Sequence, residues 1–220
     1  MDQLFFMNIC SQTMDLNLMN RLMLLISHEK RRYIKALKFD ISKKLSLFSE
    51  LILRYEICNK LKINNSEIVF WKNKYGKAYL KGYPLQFNIS HTKNAIVVAF
   101  SNNQIGIDIE KLDKKKREID IAKRFFTSNE YNFVMKSNTD IHQRFYEIWT
   151  KKESYTKYLG KGFSIPLRTF DVTDGSIKEN FSTFKVNGYI ISVCKKNTNP
   201  IDSCYLNEYD IWYLAKRLQQ

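Results

Sequence analysis

Apolar residues recur every three or four positions in two long segments of the chain, residues 42–61 and 143–159. The apolar positions are Leu45, Phe48, Ile52 and Tyr55 in the first segment, and Phe145, Ile148, Trp149, Tyr155 and Leu159 in the second. This spacing places them along one face of an α-helix. We therefore predict two amphipathic helices that pack on a core, the second of which ends at Gly160 and Gly162.

Short runs rich in β-branched and apolar residues lie between and after these helices and predict β-strands. They cover residues 67–71, 86–89, 95–100, 104–110, 168–172, 181–186 and 189–193. Tyr75-Gly76-Lys77 and Ser101-Asn102-Asn103 are typical of turns, and Asn187-Gly188 predicts a type I′ hairpin between the last two strands. Because each half of the chain offers helix and strands, we predict an α+β protein of two similar lobes, residues 1–102 and 103–220.

A further helix start is encoded after the lysine-rich loop at residues 111–117. Thr127-Ser128-Asn129-Glu130 has the S/T-x-x-E spacing of a capping box, in which the first and fourth side chains bind each other's backbone amides. This structural task is sufficient for Glu130. A second role for it, as a ligand or as a general base, stays open at this point.

Composition favours a folded protein, since 44% of the residues are hydrophobic and 14% aromatic. No run approaches the roughly 18 consecutive apolar residues of a membrane-spanning helix, and the N-terminus lacks the pattern of a signal peptide. We therefore expect a cytoplasmic protein.

The cysteines form no C-x-x-C pair and predict neither a zinc site nor a disulfide framework. They are Cys10, Cys58, Cys194 and Cys204.

The charge is strongly basic, with 36 Lys and Arg against 22 Asp and Glu, a net charge of +14. Such a surplus favours polyanionic partners, namely nucleic acid, phosphorylated cofactors or acidic proteins. A compositional bias toward Lys, Asn and Ile is an equally valid origin. A nucleic-acid-binding module is therefore one alternative, although the basic residues are spread along the chain and no recognised nucleic-acid motif is present.

Two acidic residues alternate with apolar ones in Gly106-Ile107-Asp108-Ile109-Glu110. In a strand, Asp108 and Glu110 project from the same face. Paired carboxylates suit a hard cation such as magnesium, which takes carboxylate and phosphate oxygens. A solvated strand face explains the alternation equally well when the pair is taken alone. Gly106 favours the first interpretation, because glycine inside a strand often marks a close approach of ligand or backbone.

The second helix carries Trp149, Glu153 and Lys157 at intervals of four residues, so an acid and a base share one face with an aromatic ring. A surface ion pair between Glu153 and Lys157 and simple packing of Trp149 are the alternatives.

A third candidate site is Ser90-His91 at the end of a predicted strand, where sheets often present ligand-binding groups. His91 could equally be a buried or capping residue.

Taken together and in this order, four segments resemble the Sfp-type 4′-phosphopantetheinyl transferases. They are Tyr75-Gly76-Lys77, Asn88-Ile89-Ser90-His91, Gly106-Ile107-Asp108-Ile109-Glu110 and Trp149 to Lys157. Further matches are Arg124-Phe125-Phe126, Glu130-Tyr131 and Gly160-Lys161-Gly162-Phe163, so the resemblance runs over residues 26–172. The chain departs from the family at Lys30-Arg31-Arg32 and Lys43-Lys44, where spaced arginines are usual, and at Ala78, where proline is frequent.

The resemblance implies two similar α/β lobes in one monomeric chain, with coenzyme A in the cleft between them. The N-terminal lobe would bind the nucleotide, and the C-terminal lobe would carry the metal and the catalytic residues. The implied magnesium ligands are Asp108, Glu110 and Glu153. The residues implied to contact coenzyme A, including its 3′-phosphate, are Lys30, Arg31, Lys77, Ser90, His91, Asp108 and Lys157.

The implied reaction is attack by a carrier-protein serine on the phosphorus nearest pantetheine, with adenosine 3′,5′-bisphosphate leaving. Glu153 is the best placed base, directly or through water, and Lys157 would neutralise charge. An acidic carrier from fatty acid, polyketide or nonribosomal peptide synthesis would suit the basic surface. We expect no nucleic-acid or membrane partner. Another magnesium phosphotransferase or a nuclease that uses the same carboxylates is the second alternative.

Overall fold

The computed structural model describes residues 2–10, 15–113, 117–136, 141–175, 177 and 179–219, and for residue 163 the backbone alone. Part of the predicted lysine-rich loop lies outside the described residues. In chain order the elements are β1 (Asp2–Asn8), α1 (Leu16–Met23), α2 (His28–Ala36), α3 (Asp40–Leu61), β2 (Phe70–Lys72), β3 (Ala78–Leu80), β4 (Gln86–Thr92), β5 (Ala95–Ser101), β6 (Ile105–Lys111), α4 (Glu118–Phe125), α5 (Ser128–Met135), α6 (Ile141–Leu159), β7 (Asn180–Val186), β8 (Tyr189–Lys195), β9 (Ile201–Leu206) and α7 (Glu208–Arg217).

The strands form two larger sheets and one short hairpin. The first sheet has the order β4-β5-β1-β9, in which β9 runs parallel to β1 and the other pairs are antiparallel. The second has the order β6-β8-β7 and is antiparallel throughout. Strands β2 and β3 pair with each other as a two-stranded sheet, with Phe70 opposite Leu80.

Alternation along β1 shows how these sheets are layered. Phe5 and Met7 project into a core that α3 covers, whereas Leu4 and Phe6 project into a second core. That second core contains Ile107 of β6 and residues of β8, so the two sheets pack against each other through it. On the far side of the second sheet, α6 packs on β6 and β8. The layers therefore run from α3 through the two sheets to α6, with α4 and α5 packed against α6.

The end of the chain returns to the first sheet and to α3. Strand β9 is paired with β1, and Ile211 and Leu214 of α7 lie in the same core cluster as Leu51 of α3. The predicted α+β class is confirmed by these elements. The division at residue 102 stays a prediction, to which the structure adds that β9 and α7 pack with the first half of the chain.

Most predicted elements are present. Helices α3 and α6 and strands β4 to β8 match their predicted segments, and Asn187 and Gly188 have the positive φ angles, 49° and 78°, that a type I′ turn requires. The capping box at Thr127 and Glu130 is formed. Of the residues predicted as a strand at 67–71, the last two lie in strand β2, whereas Glu67 ends the 3₁₀-helix of residues Asn65–Glu67.

The strand predicted at residues 168–172 is wrong. Residues Leu167–Thr169 form a 3₁₀-helix, and the polar groups that follow pair with side chains instead of a neighbouring strand. The carbonyl of Phe170 accepts from Lys152 at 2.7 Å, and the amide of Val172 donates to Glu130 at 2.9 Å. Among the described helices, none is both long and apolar enough to cross a membrane.

Candidate active site

The predicted acidic pair lies on β6, where the two larger sheets adjoin. Strand β4 of the first sheet runs beside β6, and the Asn88 side chain accepts a hydrogen bond from the Ile107 amide at 2.8 Å. The isoleucines of β6 project into the core between the sheets. Asp108 and Glu110 consequently project from the other face, toward α6, as the alternation predicted.

Gly106 allows α6 to approach β6 closely. A Cβ atom at this position would lie 2.0 Å from the Ser154 carbonyl oxygen and 2.3 Å from the Tyr158 amide nitrogen. No side chain fits in that space, so the glycine is required for backbone contact between helix and strand. The contact brings Glu153 and Lys157 of α6 to the carboxylates of β6.

Asp108, Ser90 and Lys157 form one hydrogen-bonded group. Asp108 Oδ1 accepts from Ser90 Oγ at 2.8 Å and from Lys157 Nζ at 2.6 Å, and Lys157 Nζ also donates to Ser90 Oγ at 2.8 Å. Asp108 is 5% exposed, so this ion pair is shielded from water on its acidic side. The second oxygen, Asp108 Oδ2, is buried and has no hydrogen-bond partner among the described residues.

Glu153 lies one helical turn before Lys157 and is also buried. In the part of the chain that the structure describes, its Oε1 atom has no hydrogen-bond partner. Burial raises the pKa of Glu153 to about 7, and the charges of Asp108 and Glu110 act in the same direction, while Lys157 opposes them. The carboxyls of Asp108, Glu110 and Glu153 are therefore close enough to repel one another. Glu110 is partly exposed, and its Oε2 accepts from Thr92 Oγ1 at 3.1 Å.

The carboxylate oxygens of Asp108, Glu110 and Glu153 fit a hard divalent cation in part. Two unpartnered, buried carboxylate oxygens, on Asp108 and Glu153, offer the oxygen ligands that magnesium prefers. Within the described ranges, however, no three His, Cys, Asp or Glu side chains are arranged as a ready metal-binding cluster. Phosphate oxygens and water would have to complete the coordination, which is the usual mode for magnesium. The three-ligand prediction, with Glu110 as the third member, stays a prediction.

A cavity of about 750 Å³ opens beside this group. Ser90, His91 and Lys157 line it at one end, and residues of α2, α3 and β2 line the rest. Burial lowers the pKa of His91, and the positive charges of Lys157 and Lys30 lower it further. The predicted nucleotide-binding residues Ser90 and His91 are thus brought together with Lys30 around one space.

The other predicted basic residues are placed differently. Arg31 does not line the cavity, and one of its terminal nitrogens donates to the Ile26 carbonyl at 3.1 Å. The Lys77 ammonium donates to the carbonyls of Ile105, Lys157 and Tyr158 at 2.7 to 3.1 Å. Burial lowers the pKa of Lys77 to about 8. Lys77 therefore caps the end of α6, and its predicted contact with coenzyme A stays a prediction.

Glu130 and Trp149 have structural surroundings. Both oxygens of Glu130 accept from Lys152 Nζ, at 2.6 and 2.7 Å, and both residues are fully buried. No oxygen of Glu130 is left for a proton from a substrate, so the structure favours the capping role over the base. Trp149 packs against Phe145 with ring centroids 6.0 Å apart, as expected of a core residue.

Sequence reasoning did not find several cavity residues. They are Tyr33, Ser46, Glu50, Trp71 and Lys72. Each lies in a segment that reads as ordinary helix or strand, and only the packing of α2 and the β2–β3 hairpin around α3 brings them together. The hairpin turn Tyr75-Gly76-Lys77 did carry a signal, because Gly76 has a φ of +89° that favours glycine.

Comparison with known proteins agrees with this site. Residues 104–204 match the 4′-phosphopantetheinyl transferase superfamily, and residues 14–103 match the family described as 4′-phosphopantetheinyl transferase, N-terminal. The 4′-phosphopantetheinyl transferase Sfp of Bacillus subtilis (strain 168) is 34% identical over 189 residues, 79% of this chain and 84% of its own length. The transferase ffp of Bacillus subtilis is 33% identical over 190 residues, 80% of this chain and 84% of its own length.

The 4′-phosphopantetheinyl transferase gsp of Aneurinibacillus migulanus is 42% identical over 126 residues, which is 57% of this chain and 52% of that protein. The fold and site therefore define a transferase of phosphopantetheine groups. The chain belongs to the 4′-phosphopantetheinyl transferase family. Family membership confirms the resemblance found in the sequence and the class of enzyme.

Proposed function

We propose that the protein transfers the phosphopantetheine arm of coenzyme A to a serine of an apo carrier protein and releases adenosine 3′,5′-bisphosphate. One observation carries this proposal above the others. The unpartnered oxygens of Asp108 and Glu153 are buried next to the Lys157 ammonium, which lines a cavity of about 750 Å³. Negative ligands for a cation and a positive charge for phosphate thus meet at one place.

Magnesium would be held first by Asp108 and Glu153, with Glu110 as the third protein ligand. The ion would neutralise the diphosphate oxygens of coenzyme A when bound. The protein's own contribution is to fix the two buried carboxylates before substrate arrives. Asp108 is fixed by hydrogen bonds from Ser90 and Lys157, and Glu153 is fixed by the backbone contact of α6 with Gly106.

Lys157 supplies the positive charge on the protein side. Its side chain is 28% exposed, so it reaches the cavity while its ammonium remains bound to Asp108. A cation in this position stabilises the charge that spreads over the phosphoryl oxygens in the transition state. Ser90 and Asp108 orient the ammonium, and little reorganisation is needed when a phosphate arrives.

Glu153 is the residue we assign to the serine proton. Its buried carboxyl combines a raised pKa with an oxygen that no protein group uses. A carboxylate with such an oxygen would take the serine proton directly or through one water molecule. The attack on phosphorus then chiefly requires that the two substrates be aligned.

The carrier is expected to be acidic, because the chain has a net charge of +14 and complementary charge speeds docking. Fatty acid, polyketide and nonribosomal peptide carriers all meet this description.

Magnesium dependence is tested by transfer in the presence of a chelator. We expect no transfer in EDTA and full recovery with excess magnesium in the wild type, but no recovery in Asp108→Asn. Transfer that persists in EDTA would contradict the assignment of the metal.

A further inference from the structure

Helices α1 and α7 lie side by side at the surface and point in the same direction. A groove of about 400 Å³ is lined by Asp15 at the start of α1 and by Glu208 at the start of α7. A second groove of about 410 Å³ is lined by Leu25, which follows α1, and by Lys216 and Gln219 at the end of α7. The two N-terminal ends are therefore adjacent, and so are the two C-terminal ends. We call the exposed side of these two helices the α1–α7 face.

The α1–α7 face exposes three aromatic side chains. Tyr209, Trp212 and Tyr213 are exposed, and their spacing of three and four residues places them on one stripe of α7. The Arg21 guanidinium of α1 lies over the Trp212 ring, 6.0 Å from its centroid. Tyrosine, tryptophan and arginine are the residue types that dominate the binding energy of protein interfaces. The α1–α7 face therefore has the composition of a protein interface.

Charge on the α1–α7 face is separated between its two ends. Asp15 and Asp210 lie at the N-terminal end, and Arg21 and Lys216 lie toward the C-terminal end. Among the described residues, none of these four side chains forms an ion pair. Both ends of the face therefore carry charge that is available to an external partner.

We propose that the α1–α7 face binds a second copy of the same chain, in a symmetric dimer in which the helices of one protomer run antiparallel to those of its partner. A twofold axis across the face would set the acidic end of each protomer against the basic end of the other. The aromatic stripes would meet near the axis, where the residues that dominate binding energy usually lie. The family resemblance implied a monomer, and this inference departs from that expectation.

The separation of charge favours a second copy over other occupants. An acidic segment of another protein would match Arg21 and Lys216 but would be repelled by Asp15 and Asp210. An anionic membrane surface carries one sign of charge and would meet the same repulsion. A partner that matches both ends must be acidic where the face is basic and basic where the face is acidic. A second copy meets this condition by symmetry.

The dimer would leave the proposed active site open. The described residues that line the cavity beside Asp108 include none from α1 or α7. The inference therefore goes beyond the proposed function and does not rest on it. Loss of the dimer is expected to leave the transfer rate unchanged, so failure of one proposal does not count against the other.

Sedimentation velocity over a wide range of protein concentration tests the inference. We expect the wild type to form a dimer as its concentration rises, and Trp212→Ala to raise the dissociation constant about tenfold or more, as loss of a central interface aromatic does. Phe133→Ala is the control, because Phe133 is an exposed aromatic residue of α5, and it should dimerise as the wild type does. A dimer that Trp212→Ala does not weaken would overturn the inference.

A wild type that stays monomeric at every concentration would also overturn the inference. Two probes would then show what the face binds instead. Sedimentation with phosphatidylglycerol vesicles that is lost in Trp212→Ala would assign the face to a membrane surface. Binding of polyglutamate that is lost in Lys216→Ala would assign the face to an acidic protein.

Reversal of charge tests the antiparallel arrangement. One variant combines Asp15→Lys with Asp210→Lys and is basic at both ends of the face, and the other combines Arg21→Glu with Lys216→Glu and is acidic at both ends. Each should stay monomeric alone because like charges meet, whereas an equimolar mixture should form a heterodimer. Circular dichroism checks that both variants are folded, since Asp15 and Asp210 also cap their helices. A mixture of folded variants that stays monomeric would contradict the proposed dimer.

Discussion

Glu153 and Lys157 lie one turn apart on α6, and both act on Asp108 with opposite charge. Lys157 binds Asp108 at 2.6 Å, while Asp108 raises the pKa of Glu153 by repulsion after the larger effect of burial. A carboxyl held in this way is expensive to ionise in the absence of a cation. Glu153 is therefore better suited to a role in catalysis than to one in stabilising the fold. Mutation of Glu153 should change the transfer rate and the free energy of unfolding to different extents.

Replacement of Glu153 by Gln separates these properties. We expect the transfer rate to fall by ~10²- to 10⁴-fold, the range for loss of a general base. Unfolding by urea should show no loss of stability, because Gln removes a buried group that has no partner for Oε1. Glu147→Gln on the same helix is the control and should keep the wild-type rate. A Glu153→Gln variant that transfers normally would exclude Glu153 as the base.

Lys152 and Glu130 form the opposite kind of pair, fully buried and fully hydrogen-bonded. Lys152→Met leaves the Glu130 charge buried with fewer partners and should cost about 3–5 kcal/mol of unfolding free energy. The double variant Lys152→Met with Glu130→Gln should regain part of that loss. The measurement is denaturant unfolding of the single and double variants. Additive effects would show that the two side chains do not stabilise each other.

At the scale of elements, the site depends on the backbone contact between β6 and α6. Gly106→Ala would place a methyl group against the backbone of α6, where the nearest atom would lie only 2.0 Å away. We expect a loss of about 1–3 kcal/mol from overpacking together with strongly reduced transfer, because α6 carries Glu153 and Lys157. Thermal unfolding and the transfer rate measure the two effects.

Gly188→Ala is the matched control, since no atom lies within 4 Å of a Cβ there and the strain comes only from its φ of +78°. It should cost about 1 kcal/mol and leave transfer intact. If Gly106→Ala keeps full activity, the close approach of α6 does not position the site.

The sequence predicted those elements whose signals are local. The three- and four-residue spacing in α3 and α6, the capping box at Thr127 and the Asn187-Gly188 turn each depend on a few neighbouring residues, and all are present. Gly106 and the alternation of Asp108 with Glu110 were informative for the same reason. The acidic part of the site could therefore be predicted as a set before any contact was known.

Contacts between distant segments could not be predicted in this way. Strand β9 pairs with β1 across nearly the whole chain, and nothing in residues 201–206 identifies that partner. The end of Lys77 is turned to carbonyls of Ile105 and α6 instead of to solvent. The cavity position of Lys72 likewise depends on how the hairpin packs on α3. In each case tertiary packing determines which groups meet, and the local sequence carries no information about that packing.

At the scale of the whole molecule, the first strand ties the two sheets together. Asp2 of β1 accepts from Lys195 of β8 at 2.7 Å and from Ser101 of β5 at 2.7 Å, and all three residues are buried. The two sheets are therefore joined by buried polar contacts as well as by the apolar core between them.

The most direct test of the central claim is the mass of an apo carrier protein after incubation with the enzyme, magnesium and coenzyme A. The account predicts that the carrier gains one phosphopantetheine arm on its serine, with an equal amount of adenosine 3′,5′-bisphosphate released, and that Asp108→Asn gives neither product. An unchanged carrier mass across fatty acid, polyketide and nonribosomal peptide carriers, with a folded enzyme, would contradict it.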